Sequence, residues 1–365
     1  MAQCSLCGRN SADISGALGV CSACIRRLPR EALEITARAH RKIRDELELP
    51  HSPPDDPEGV SCNICVNHCR MAENEMGYCG LRRNHNGRLV GASLTAGKLS
   101  WYHDPLPTNC VADWVCPGGT GAGYPEFANR RGAETGFKNL AVFFQACSFN
   151  CLFCQNWHFR NETFTAPLHT VEELVADVDR RTSCICYFGG DPSPQMPFSL
   201  KASKQAREKA TDRILRICWE TNGSVNPGLL EQMLDIAIES GGCVKFDLKA
   251  RDPSLHVALT GVANQRTLDN FTRAAQKISR RPSPTLLIAS TLLVPGYIDR
   301  EEVAAIAGFI ADLDPDIPYS LLAFHPQFFM SDMPVTSKTL ANQCLQAARD
   351  SGLNHVRLGN VHLLA

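Results

Sequence analysis

The stretch LAVFFQACSFNCLFCQNW, residues 140–157, holds a structural element followed by a chemical one. Its first five residues are apolar, several of them branched or aromatic, and a short run of that kind is consistent with a buried strand. The loop that leaves it carries Cys147, Cys151 and Cys154 in a Cys-x3-Cys-x2-Cys spacing. Downstream the same kind of run recurs as ICYF (185–188), ILRICW (214–219), CVKFDL (243–248), TLLIASTLLV (285–294) and YSLLAF (319–324), with VRLG near the carboxyl end. Between the runs lie TVEELVADVDRR, NPGLLEQMLDIAIESG, NQRTLDNFTRAAQKI and DREEVAAIAGFIADL. Their apolar residues recur at three and four positions, and each starts on a Thr, Asn or Asp suited to cap a helix. Six alternating strand and helix units predict an α/β fold, a partial (β/α)6 TIM-like barrel built on a parallel sheet. Polar motifs fall at the strand ends, where such barrels carry their chemistry.

With 365 residues the chain has room for two or three domains, or for one large barrel with small appendages. Hydrophobic residues at 44% and charged ones at 21% exclude wholesale disorder. Lys+Arg 37 against Asp+Glu 38 leaves a net charge of −1, which argues against a nucleic acid held by bulk charge. The opening MAQCSLCGRN lacks the basic and apolar regions of a signal peptide. The longest strongly apolar stretch, around Leu286 to Val294, falls far short of the roughly 20 residues a spanning helix needs. A cytoplasmic protein without a membrane partner is expected, and eighteen cysteines in such a chain are expected to bind metal rather than pair as disulfides.

The cysteines partition the chain. Cys4, Cys7, Cys21 and Cys24 have the two-knuckle spacing of a zinc ribbon and predict a structural zinc site. So short a segment cannot bury a core alone, so the metal would supply its folding energy. Residues 1–28 therefore read as a zinc-ribbon-like knuckle, and 29–60 as a helix followed by the linker HSPPDDPEG. Residues 61–135 read as a Cys-rich module and 136–365 as the barrel with a C-terminal extension. Within the Cys-rich module Cys62, Cys65, Cys69 and Cys79 predict a second metal centre, either zinc or an auxiliary iron–sulfur cluster. His68 is a further donor there, and Cys110 or Cys116 could replace one member.

Three thiolates as close as Cys147, Cys151 and Cys154 can hold three irons of a four-iron, four-sulfur cluster and leave the fourth open to a small molecule. The plainer alternatives are buried thiols, or a zinc site that borrows a distant ligand. In YFGGDP (187–192) Gly189 and Gly190 let the backbone approach a ligand and Asp191 suits an ammonium group, or else the segment is an ordinary strand-to-helix turn. Glu220-Thr221-Asn222-Gly223 and Asp247-Leu248-Lys249 end the next two strands. Lys249 offers a compact charge for a carboxylate, and Glu220 and Asp247 either join it or cap loops. The turn VPGYID (294–299) either faces the substrate or is plain turn chemistry.

The Cys-x3-Cys-x2-Cys loop, with the aromatic Phe153 before its third cysteine at the end of the first barrel strand, resembles the radical S-adenosylmethionine (SAM) superfamily over roughly residues 138–330. Within that superfamily the chain resembles the activating-enzyme branch related to pyruvate formate-lyase activase. It looks most like the radical SAM proteins of the AmmeMemoRadiSam system, which share an FCQNW-type loop and a Cys-rich segment like CNICVNHCRMAENEMGYCGLRRN. The resemblance implies a 4Fe-4S cluster on Cys147, Cys151 and Cys154 with SAM on the open iron. GGDP stands where the family shows GGEP, which implies Gly189, Gly190 and Asp191 at the SAM ammonium. Glu220, Thr221, Asn222, Asp247 and Lys249 are implied along the carboxylate and ribose, with a monovalent cation held between the two acids and Thr221. His325, in FHPQ, matches a SAM-proximal histidine of the branch.

The implied reaction is reductive cleavage of SAM to a 5′-deoxyadenosyl radical that abstracts hydrogen from an unidentified substrate, a protein being one candidate. A low-potential donor such as flavodoxin or ferredoxin is the implied electron source. A glycyl-radical enzyme activase is the alternative within this class. A non-catalytic iron–sulfur protein for electron transfer or partner binding is the alternative outside it.

Overall fold

Seven strands in parallel and one antiparallel make a single eight-stranded sheet in the computed structural model, which describes residues 1–108 and 110–365. The strands are β1 (Leu99–Pro105), β2 (Lys138–Phe144), β3 (Thr182–Gly189), β4 (Arg216–Thr221), β5 (Val244–Asp247), β6 (Leu287–Leu293), β7 (Tyr319–Ala323) and β8 (Val356–Gly359), and their order in the sheet follows the chain. The six apolar runs are all strands, and VRLG adds a seventh parallel one. Strand β1 escapes the apolar-run criterion because LSWYHDP presents a largely solvent-facing edge. It runs antiparallel to β2, pairing Leu99 with Phe144 and Pro105 with Lys138, so residues 61–135 contribute a strand to the barrel sheet itself.

The main helices are α1 (Ser22–Arg27), α2 (Pro29–Glu46), α3 (Val171–Ala176), α4 (Met196–Lys209), α5 (Pro227–Ser240), α6 (Pro253–Thr260), α7 (Gln265–Ala275), α8 (Arg300–Leu313) and α9 (Lys338–Asp350). Thr170 starts α3 with a reciprocal capping box to Glu173, and Asn226 and Asp299 accept from Gly228 N and Glu302 N. Asn264 breaks the rule: its amide donates to the Ala250 and Arg251 carbonyls instead of capping α7. Helix α3 stops at Ala176, because Asp179 in the expected continuation is taken by Lys138 at 2.6 Å and by the Thr182 hydroxyl. No helix among the described residues is long and apolar enough to cross a membrane.

Side chains alternate across each strand. Tyr187 and Trp219 face the helices, fully buried and stacked with centroids 5.5 Å apart, which leaves Cys186 and Cys218 lining the lumen. The segment 110–134 closes the amino-terminal end of the barrel. Glu134 there meets Arg216 of β4 in a two-pronged pair of 2.9 and 2.5 Å with both side chains buried.

The N-terminal knuckle docks on the barrel. Tyr297 hydroxyl donates to Val20 O and accepts from Ser15 N, Asp332 accepts from Gly16 N at 2.7 Å, and Arg26 bridges Asp299 and Glu302. The VPGYID turn therefore receives the knuckle. Gly296 has φ +74, and any Cβ there would overlap the Asp13 carbonyl. The linker HSPPDDPEG separates the knuckle in sequence only.

Candidate functional site

Strand β2 ends in the three-cysteine loop, and the loop is pinned from several sides. Asn150 N and Leu152 N donate to Thr260 O and Leu259 O at the end of α6, and Arg160 Nη2 donates to Phe149 O. His40 of α2 accepts from Asn150 Nδ2 at Nδ1 and donates from Nε2 to Ala258 O. Burial of this ring lowers its pKa to about 4, so it stays neutral and keeps both bonds. Gly190 N and Asp191 N donate to Phe144 O and Ala146 O, so the GGDP turn clasps the start of the loop. Gly189, at φ +106, has no room for a Cβ against Phe144 N, and Gly190 has none against the Ala146 carbonyl.

These residues open onto one cavity of about 350 Å³ at the carboxyl ends of the strands. The structure brings Cys147, Cys151, Cys154, Phe153, Gly189 and Gly190 to its wall, together with Asp191, Glu220, Thr221, Asn222, Asp247 and Lys249. His325 is exposed and lies off this wall, and its backbone is tied to Gln155. The polar lining residues outside the motifs are Arg160, Lys245, Ser290 and Asn360. Among these, Lys245 left a signal, a lysine within the strand run CVKFDL.

Charges alternate along the lumen. Lys249 lies 3.0 Å from Asp247, Asp247 lies 3.5 Å from Lys245, and Lys245 lies 2.8 Å from Glu220. Burial pushes the Asp247 carboxyl up, but Lys245, Lys249 and the Ser290 hydroxyl outweigh it and hold the group well below the usual range. Burial likewise lowers Lys249, and Asp247 and Cys151 overcome it to raise its pKa. Asp191 is committed to the protein: Oδ1 accepts from Asn222 N and Thr221 Oγ1, and Oδ2 from Ser193 N. Burial raises it to about 6 despite these donors. Its side chain ties β3 to β4, and Asn222 carries the tie on to Ser148 Oγ at 2.8 Å and Cys147 Sγ at 3.8 Å.

Thiols buried here resist ionisation. Burial, then Asp191 and Cys151, push Cys147 well up, and burial pushes Cys151 up to about 12 although Lys249 opposes it. A metal cluster that supplies positive charge is what would make thiolates of them. Among the described residues only Cys4, Cys7, Cys21 and Cys24 bring three or more donor atoms all within 4.8 Å. A tetrahedral zinc with sulfur bonds of about 2.3 Å has sulfur edges of about 3.8 Å, so the N-terminal set fits a single ion. Burial pushes Cys4 up, but the Cys21, Cys7 and Leu6 backbone N–H groups bring it down to about 6, while burial pushes Cys21 and Cys24 up, thiols that a bound cation would ionise. The loop set is wider, as a four-iron cluster requires, so its donors fit that group.

Cys62, Cys65, Cys69 and Cys79 also lie wider than a zinc site, around one small enclosed void with Arg82. Their hairpin joins the barrel by Val66 N to Ser224 O and Asn226 N to Ile64 O. Asn67 links Cys65 Sγ at 3.8 Å to Ser148 O at 2.9 Å, next to Cys147.

Fold and site together define a barrel protein with three thiols above a lumen of alternating charge. Residues 141–310 match the model of the Radical SAM superfamily, which makes this barrel a radical SAM domain. An uncharacterised protein of Methanocaldococcus jannaschii is 27% identical over 84% of this chain and 83% of its own length. The isethionate sulfite-lyase activating enzyme of Desulfovibrio desulfuricans is 31% identical over 43% of this chain, and the match spans 47% of that enzyme, about half its length. The pyruvate formate-lyase 1-activating enzyme of Escherichia coli K12 is 26% identical over 50% of this chain and 73% of its own. A solved domain of pyruvate-formate lyase-activating enzyme from Bacteroides vulgatus covers 48% of this chain and 98% of itself, with 21% identity and a TM-score of 0.39.

Proposed function

We propose that the chain cleaves SAM reductively at the Cys147, Cys151 and Cys154 loop and uses the resulting 5′-deoxyadenosyl radical to abstract hydrogen from a substrate. The observation that carries this reading is the convergence of three thiols, the GGDP clasp and the Lys249–Asp247–Lys245–Glu220 charge row on one cavity. When bound, the cluster supplies the electron and the open iron that the cleavage needs. Lys249 binds the SAM carboxylate, and the backbone at Gly189 and Gly190 borders its ammonium. Asp191 acts through the turn it holds, because both its oxygens are already engaged. Glu220, Thr221 and Asp247 border the ribose and a monovalent cation, and Phe153 covers the cluster.

Zinc at Cys4, Cys7, Cys21 and Cys24 fixes the knuckle. Cys62, Cys65, Cys69 and Cys79 would hold an auxiliary iron–sulfur cluster, which would supply an inward route for electrons from a low-potential donor of the flavodoxin or ferredoxin kind, and the Asn67 link from Cys65 to Ser148 supports that reading. The substrate is a protein or peptide in this proposal, a reading that rests on the names of the activating-enzyme relatives. Activation of a glycyl-radical enzyme is the second reading, favoured by those same names. Anaerobic incubation with dithionite and SAM should release 5′-deoxyadenosine and methionine, and Cys147→Ala, Cys151→Ala or Cys154→Ala should each abolish it. A fully iron-loaded protein that yields neither product would favour an electron-transfer protein instead.

A further inference from the structure

Six cysteines that no site above uses meet inside the barrel. Eleven of the eighteen belong to the three sets already described, and Cys344 lies apart in α9. Cys110, Cys116, Cys184, Cys186, Cys218 and Cys243 all line a second cavity, of about 410 Å³, that shares Val111, Phe188, Glu220 and Lys245 with the first. In sequence they are scattered; parallel register gathers them. Cys186 pairs with Cys218 across β3 and β4, and Trp219 pairs with Val244 across β4 and β5, which makes Cys218 and Cys243 neighbours with sulfurs 3.9 Å apart. Adjacent strands lie about 4.8 Å apart, so three thiols form a row across the barrel floor.

Cys110 and Cys116 come from the closing segment. That segment is held by Ser320, which accepts from Trp114 Nε1 at 3.2 Å and donates to Val111 O at 3.1 Å, and by Arg357 on Asp113 at 2.8 Å. Barrel interiors are ordinarily filled by bulky branched side chains at close-packed density. Here small thiols leave a large space, and the cations on its wall are already matched, Lys245 by Glu220 and Arg216 by Glu134. Zinc does not account for it, because no three donors of this set lie within 4.8 Å of one another.

We propose that this cavity holds a further polynuclear iron–sulfur cluster, ligated by thiolates of the barrel row Cys186, Cys218 and Cys243 and of the closing segment, Cys110 and Cys116. It occupies the same lumen as the SAM cavity, with Val111, Phe188, Glu220 and Lys245 common to both walls.

Two measurements on the full chain test this independently of SAM cleavage. After anaerobic reconstitution with ferrous iron and sulfide, N-ethylmaleimide labelling mapped by mass spectrometry should find Cys110, Cys116, Cys186 and Cys218 at least tenfold slower to react than after chelation of the iron. Burial alone gives equal rates in both states, and equal rates would overturn the proposal. In the double variant Cys186→Ala, Cys218→Ala, iron and sulfide should each fall by about two to four per chain while the Cys147, Cys151 and Cys154 cluster remains. Unchanged iron and sulfide, or zinc in place of iron, would overturn it even if the protein cleaves SAM.

Discussion

Replacing Glu134 by Gln removes the one carboxylate that, among the described residues, pairs with the Arg216 guanidinium, while keeping the size of the side chain. The carboxylate accepts from both Arg216 Nη atoms, from Asn129 N and Nδ2, and from the Ser183 hydroxyl, all in the buried floor of the barrel. Burial raises the Glu134 pKa, but Arg216 and these donors hold it below the usual carboxylate range. Leaving one partner of a buried pair uncompensated costs about 3–5 kcal/mol. With an m-value of roughly 4 kcal/mol/M for a chain this large, the urea midpoint should fall by about 1 M. The same pairing makes a pH signature: because the folded pKa is depressed, its stabilisation is present above the unfolded carboxylate pKa and is lost as pH falls through the folded one. The assay is urea unfolding of the metal-loaded protein followed by circular dichroism. Glu134→Gln with a midpoint within about 0.1 M of wild type would refute the reasoning, since it would mean the floor is wet enough to solvate Arg216.

Three further outcomes follow from the same geometry. The folded His40 pKa of about 4 lies below the unfolded value of about 6.5, so the unfolded chain binds more protons between them and stability should fall by about 3 kcal/mol as pH drops through that window. His256, also lowered to about 4 by burial, shares the window, so His40→Ala should remove part of the slope in a pH series of unfolding midpoints. Gly296→Ala should cost about 1–3 kcal/mol and speed zinc loss to a chelator, because the new methyl meets the Asp13 carbonyl at a left-handed backbone position. Lys249→Met should weaken SAM binding by about one to two decades in equilibrium dialysis without changing iron content, since a charge-assisted contact is worth about 1.5–3 kcal/mol.

Where strands are buried on both faces the sequence announces them, as ICYF and TLLIASTLLV do. Strand β1 is legible only from its partner, because an edge that faces water needs no apolar run. Local spacing made the loop and knuckle cysteines readable, since their ligands lie within one turn or hairpin. The barrel-floor cysteines carry no such spacing: Cys186, Cys218 and Cys243 become neighbours only through the register of three strands. Lys245 and Asn360 reach the site in the same non-local way. His325 shows the converse, a residue whose motif matched but whose side chain the fold leaves outside the cavity. The VPGYID turn was legible as a turn, and its docking role depended on Ser15 and Val20, almost three hundred residues earlier.

The central claim is that Cys147, Cys151 and Cys154 hold a cluster whose open iron binds SAM. Electron paramagnetic resonance of the dithionite-reduced, reconstituted protein tests it most directly, with spectra recorded with and without SAM and compared with those of Cys154→Ala. The account predicts a reduced-cluster signal that shifts when SAM is added, and no SAM-sensitive signal in the variant. A wild-type spectrum from a fully iron-loaded protein that is indifferent to SAM would contradict it.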